Sequence, residues 1–136
     1  MFLGTYPPKL KPFIHEYHRY HGFTHYPQQL ASLNLDFAIA PLADNNTNRT
    51  RSNIRLLELG ICGIPVICSD VLCYKSRLSV NLVKNRYKDW STAMSQYIDD
   101  VDSARTVGAV LKREVQENWM LNQKNLEVIK KIWLPR

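Results

Sequence analysis

Arg51, Ser52, Arg55 and Glu58 follow one another at helical spacing in NRTRSNIRLLELGICGIPVICSD, residues 48–70. On a helical wheel Arg51, Arg55 and Glu58 share one stripe, and Ile54, Leu57 and Ile61 share the next. Ser52 is a favoured N-cap residue. Gly63 and Pro65 end the helix, and Ile64 to Cys68 is an apolar, β-rich run of strand length. One helix start thus offers unpaired backbone N–H groups and two guanidinium groups, with a carboxylate about two turns on. That set suits a ligand carrying phosphate at one end and a sugar diol at the other. The same pattern also fits a solvated basic face in which Glu58 pairs with Arg55 or Arg51, and spacing alone leaves both readings open.

The elements that must hold these residues alternate between strand and helix. Met1 to Gly4 reads as a short strand ending at glycine, and Tyr6 to Lys11, with Pro7 and Pro8, as a loop. Phe13 to Tyr20 fits helix or strand, and Arg19 to Phe23 a second short strand. Gln28 to Leu33 reads as a helix with Pro27 at its start. Leu35 to Pro41 is a mostly apolar strand, as expected in a sheet covered on both faces. Asp44 to Thr50 reads as a polar loop. After the central helix and strand come a loop at Val71 to Arg77 and a short strand at Leu82 to Lys84. Asp89 is the expected cap of a helix whose apolar face is Trp90, Ala93, Met94, Tyr97, Ile98 and Val101. Asp102 is the expected cap of the next, with Ala104, Val107, Leu111 and Val115 on one face. A last helix, Asn122 to Trp133, turns Leu126, Ile129 and Trp133 inward and ends at Pro135. Trp90, Tyr97, Trp119 and Trp133 are expected in the core. The alternation predicts an α/β fold with a parallel sheet, flanking helices and a helical C-terminal part. Residues 1–88 form the sheet and 89–136 the helices of one domain.

The chain of 136 residues is long enough for one domain, and its 45% hydrophobic content is that of a globular protein. No apolar run is long enough to span a membrane, and the N-terminus lacks the layout of a signal peptide. The expected location is the cytoplasm, with room for peripheral contact with the inner face of the membrane. The formal net charge of +6 favours anionic partners. That charge is dispersed and accompanies no nucleic-acid motif, so nucleic acid is not an expected partner. Cys62, Cys68 and Cys73 read as free thiols. His15, His18, His21 and His25 surround Glu16, but HExH is not the HExxH of zinc proteases, and no metal is expected. P-loop, GxGxxG and GxSxG patterns are absent.

As a set, the motifs resemble the donor-binding half of retaining GT-B glycosyltransferases, of the group 1-like kind that builds surface polysaccharide and O-antigen. The family pattern N-x-x-K-S-x-x-K-x-x-E, then G-x-P-V-I-x-S-D, is met by Asn48, Arg51, Ser52, Arg55, Glu58, Gly63, Pro65, Val66, Ile67, Ser69 and Asp70. Tyr26-Pro27-Gln28-Gln29-Leu30-Ala31 and Asp36 to Leu42 resemble the preceding helix and strand, and Asn81 to Asn85 with Trp90 the following run.

The resemblance implies a Rossmann-like domain that binds a nucleotide diphosphate sugar without a cofactor or metal. The sugar would pass, with retention, to a growing glycan or lipid-linked saccharide. Glu58 would hold the donor ribose, and Arg51, Ser52, Asn53 and Arg55 the diphosphate, whose growing negative charge they would stabilise. Asn48 and Thr50 would stand elsewhere in the donor site. Thr50 occupies the place where many relatives carry a sugar-contacting Glu, so that contact is not implied. The likeness covers the later part of the second of two domains. It therefore implies that activity needs an acceptor domain, and that a split-enzyme partner or a second copy covers the edge of the strand at Leu35 to Pro41. A non-catalytic nucleotide-binding or interaction module, and half of a sugar-nucleotide epimerase, are the alternatives.

Overall fold

The computed structural model describes residues 1–134, so the helix stop at Pro135 lies outside the described residues. The chain forms two compact units, Met1–Asn34 and the remainder from Leu35 onward.

In the first unit β1 (Phe2–Leu3) pairs in parallel with β2 (Tyr17–His18). The Tyr6 ring packs against both Phe2 and Tyr17. Gly4 follows β1 at φ +91°, a conformation that favours glycine. Pro8–Phe13 is a 3-10 helix rather than a loop, started by a proline whose fixed φ suits a first turn. The second strand is Tyr17–His18, not Arg19 to Phe23, because the Arg19 carbonyl and the His21 N–H bond the Gln29 side chain instead of a strand. Gln29 lies on α1 (Tyr26–Ser32), which has Pro27 in its first turn.

The second unit is an α/β domain. Its sheet contains β3 (Ala38–Ala40), β4 (Val66–Ser69) and β5 (Asn81–Val83), all parallel, in the order β3-β4-β5. Between β3 and β4 come α2 (Asn46–Arg49), one turn inside the expected polar loop, and α3 (Ile54–Ile61). Asn45 caps α2 by accepting from the Asn48 N–H, and this is why the Asn-rich stretch turns. A 3-10 turn at Leu72–Tyr74 joins β4 to β5. Then come α4 (Tyr87–Asp99), α5 (Val101–Asn118) and α6 (Gln123–Trp133).

Every residue of β4 is buried, so both faces of the central strand are covered. On one face Ile67, Val83 and Ala93 form a cluster with Phe37, Trp90, Met94 and Tyr97 against it. α3 packs on β3 and β4, α4 on β4 and β5, and α5 against both helices.

The phase of α3 differs from the expected one. Leu56, Leu59 and Gly60 are buried, whereas Ile54 is 58% exposed. Gly60 sets this phase, because a Cβ there would meet Leu111 Cγ at 2.9 Å and Val115 Cγ2 at 3.0 Å. Helix starts also shift. The N-caps are Asn53, Arg86 and Asp100, not Ser52, Asp89 and Asp102. Asp100 accepts from the Ser103 N–H, and Asp89 pairs back to Arg86. α6 starts at its expected cap, Asn122. Trp119 (49% exposed) and Trp133 (76%) are not core residues, and Ile98 and Ile129 are exposed, so the inward expectations at these places are overturned.

Candidate functional site

A cleft of about 470 Å³ opens where the carboxyl end of β3 meets the start of α3. Ligands of open α/β sheets bind at such strand ends. Ile39 to Leu42 form one wall, with Arg51, Ser52, Ile54, Arg55 and Tyr74 completing it. Two lining residues are cationic, and none of the described lining residues is acidic. The cleft therefore combines an apolar wall with a positively charged end.

The sequence builds this place in three steps. β3 ends just before Pro41, which has no N–H to offer a neighbouring strand. The chain then turns through α2, where Asn48 donates to the Ala43 carbonyl at 2.8 Å and the Arg49 guanidinium grips Asp44 at 2.7 and 3.1 Å. The hydrogen bond from Arg49 holds the Asp44 carboxyl below its ordinary range. The chain enters α3 at Asn53, whose side chain makes no capping bond. The Leu56 N–H bonds the Asn53 carbonyl at 2.8 Å, which leaves the Ile54 and Arg55 N–H groups of the first turn to water or a ligand, at the positive end of the helix dipole.

A hydrogen-bond network around the buried Ser69 hydroxyl fixes the strand ends. Ser69 Oγ, at the end of β4, accepts from the Leu42 N–H at 2.8 Å and donates to Asn85 Oδ1 at 2.7 Å. Asn85 Nδ2 donates to the Leu42 carbonyl at 2.8 Å. One serine and one asparagine thereby tie together the chain after β3, β4 and the chain after β5. Asp70 pairs with Lys75 at 3.0 Å, and its N–H bonds the Val83 carbonyl at 2.8 Å.

Arg51, Ser52 and Arg55, expected to act together, do meet in the cleft. The Arg51 side chain carries no ion pair among the described residues. Glu58 is not a lining residue; its Oε2 lies 3.8 Å from Arg55 Nε. Asn53 is the cap of α3, Asn48 braces the α2 loop, and Thr50 donates to the Thr47 carbonyl at 2.9 Å. These three residues shape the loop rather than line the cleft.

Tyr74, Ile54 and the wall from Ile39 to Leu42 line the cleft without having been expected there. Tyr74 lay in an apparent loop, and its burial comes from a 3-10 turn that no periodicity announces. Burial raises its phenol above the ordinary tyrosine range, and the nearby charges of Arg55 and Arg51 oppose that rise. Ile54 belongs to the apolar stripe with Leu57 and Ile61, but the face that packs is Leu56, Leu59 and Gly60, which leaves Ile54 on the cleft.

Among the described residues no group of three or more His, Cys, Asp or Glu is arranged to hold a metal ion. His18 Nε2 instead contacts Glu16 Oε1 at 2.7 Å. Comparison of the chain with protein-family models, curated proteins and solved structures gives no match.

Proposed function

We propose that this chain is the nucleotide-sugar-binding part of a glycosyltransferase, which hands a sugar to a glycan or lipid-linked acceptor held by another domain. The observation that carries this reading is the meeting of Arg51, Ser52 and Arg55 beside the open start of α3, at the carboxyl end of β3. In sugar transfer the leaving diphosphate gains negative charge as the glycosidic bond breaks. Two guanidiniums and a helix N-terminus favour the more negative state and so lower the barrier. Ser52 adds a hydroxyl donor to a phosphate oxygen. The apolar wall from Ile39 to Leu42 suits the flat face of a base or sugar. In this reading the domain is Rossmann-like and of the GT-B kind, and no metal is required of it.

A second reading, a non-catalytic module that binds diphosphate, is favoured by the place of Glu58. Its carboxylate is 3.8 Å from Arg55 rather than on the cleft wall. Calorimetry with inorganic diphosphate, nucleosides and nucleoside diphosphates separates the two. Arg51→Ala should weaken every diphosphate about ten- to a hundredfold, the effect of a charge-assisted hydrogen bond, and leave nucleosides alone. Glu58→Ala should weaken nucleoside diphosphates only, if the carboxylate swings to a ribose. Equal loss for nucleosides and diphosphates in Arg51→Ala refutes the phosphate role. A Glu58→Ala variant with unchanged nucleoside diphosphate affinity favours the second reading.

A further inference from the structure

The strongest feature outside the cleft is α6. Its residues divide sharply around the helix. At 100° per residue, Val128, Ile132, Ile129, Trp133 and Leu126 fall on one continuous arc, interrupted only by Asn125. Lys124 and Lys131 border that arc on one side and Lys130 borders it on the other, with Glu127 at the middle of the polar face. Leu126 at one border of the arc is half-buried against the domain, whereas most of the arc lies open. Val128 is 52% exposed, Ile132 72% and Trp133 76%. The adjoining Trp119, Met120 and Leu121 are exposed as well.

Exposed apolar surface of this kind marks a binding face, and the charge pattern identifies the occupant. A protein groove that accepted this arc would need no lysines at both borders. A bilayer surface would, because a helix lying in the interface buries its apolar face among acyl chains while its lysines extend to the lipid phosphates. Trp133 and Trp119 belong to the residue type that favours this depth. The lysines outnumber the single carboxylate Glu127, which is itself paired to Lys130 at 3.0 Å. The whole chain carries a net charge of +6. Among the described residues no helix is long and apolar enough to cross a membrane, so the contact would be in the plane of the surface.

We propose that α6 is an interfacial helix that docks this protein on anionic lipid bilayers, with Ile132 and Trp133 inserted and Lys124 and Lys131 on the headgroups. The inference stands on α6 alone and does not depend on the cleft.

Co-sedimentation of the full chain with phosphatidylcholine vesicles, with and without 30 mol% phosphatidylglycerol, tests it. Binding should require the anionic lipid and weaken with salt. Lys124→Gln with Lys131→Gln should lower the partition coefficient about twenty-five-fold, at about fivefold per lysine. Ile132→Ser with Trp133→Ser should lower it at least tenfold while leaving the far-ultraviolet spectrum and melt unchanged, since both side chains are exposed. Tryptophan emission should shift to the blue on vesicles, and Trp133→Phe should remove most of that shift. Lack of binding to anionic vesicles at low salt, or equal binding to neutral ones, overturns the proposal. So does a monomer–dimer equilibrium that the serine pair abolishes, because it would assign the arc to a second copy.

Discussion

Ser69 is the residue through which the fold most directly holds the cleft, and Ser69→Ala measures that link. The hydroxyl is fully buried and makes two bonds, one accepted from the Leu42 N–H at 2.8 Å and one donated to Asn85 Oδ1 at 2.7 Å. Alanine keeps the packing but removes both. The two partners then fare differently. The half-buried Leu42 N–H loses its acceptor, a loss that costs about 1–3 kcal/mol for an orphaned buried donor. Asn85 is exposed, so its Oδ1 turns to water at little cost. The net expectation is a loss of about 1–2 kcal/mol, or a Tm drop of roughly 5–10 °C for a domain near 100 residues. Urea unfolding should show the change in the midpoint with an unaltered slope.

The same network predicts non-additivity. Asn85→Ala leaves the Ser69 hydroxyl buried without an acceptor, so it should cost a similar amount. In the double variant no hydroxyl remains to be orphaned, and its cost should fall short of the sum by about 0.5–1.5 kcal/mol. Because Leu42 lines the cleft, either variant should also weaken diphosphate binding without touching a charged ligand. Additive costs, or an unchanged midpoint in Ser69→Ala, would refute the idea that this hydroxyl joins the three strand ends.

Two further predictions follow from packing and ionisation. A Cβ at Gly108 would lie 2.2 Å from the Gly63 carbonyl oxygen and 2.9 Å from Pro65 Cδ. Gly108→Ala should therefore destabilise by about 2 kcal/mol despite a helix-propensity gain of about 1 kcal/mol, because backbone must move. Gly60→Ala, which meets only the Leu111 and Val115 side chains, should cost less; the reverse order in urea midpoints refutes the argument. Burial pushes the Cys68 thiol up to about 12, from an ordinary value of 9.0. A raised folded value means that the neutral thiol supports the fold below pH 9, and that this support is lost as pH rises from 9 towards 12, at up to about 1.4 kcal/mol per unit. Cys68→Ala should flatten the stability profile between pH 9 and 10, and unfolding curves with parallel pH slopes for both proteins would refute it.

The parts of the fold legible in the sequence were those with local causes. β4 announced itself as the apolar run before Ser69, and α5 as a true periodic face with Ala104, Leu111 and Val115 buried. Helix caps were less legible. Asp100 and Asp102 are both plausible N-caps, and the choice falls to the one whose oxygen reaches the Ser103 N–H. α6 carried a clear pattern but not its meaning: an apolar arc says that something covers the helix, not that the core does. The cleft was half legible. Arg51, Ser52 and Arg55 are neighbours in sequence, so any helix start gathers them. Tyr74 and Leu42 reach the same place only through the strand order β3-β4 and the turn after β4, which no local pattern encodes.

The phase of α3 connects these two halves. Leu56, Leu59 and Gly60 face the core, so the middle of the helix's outer side falls near Glu58 and Ile54, with Arg55 on the flank between outside and core. That flank position lets Arg55 reach both the cleft and Glu58. The pair is loose at 3.8 Å, and the Arg55 side chain is 63% exposed. An exposed pair of this kind contributes at most about 1 kcal/mol. A phosphate with bidentate geometry offers a guanidinium more than that. An anion entering the cleft can therefore take Arg55 from Glu58 at small cost. On the proposed reading, an anion in the cleft therefore competes for Arg55 with one loose, exposed ion pair, and that competition needs no change of fold.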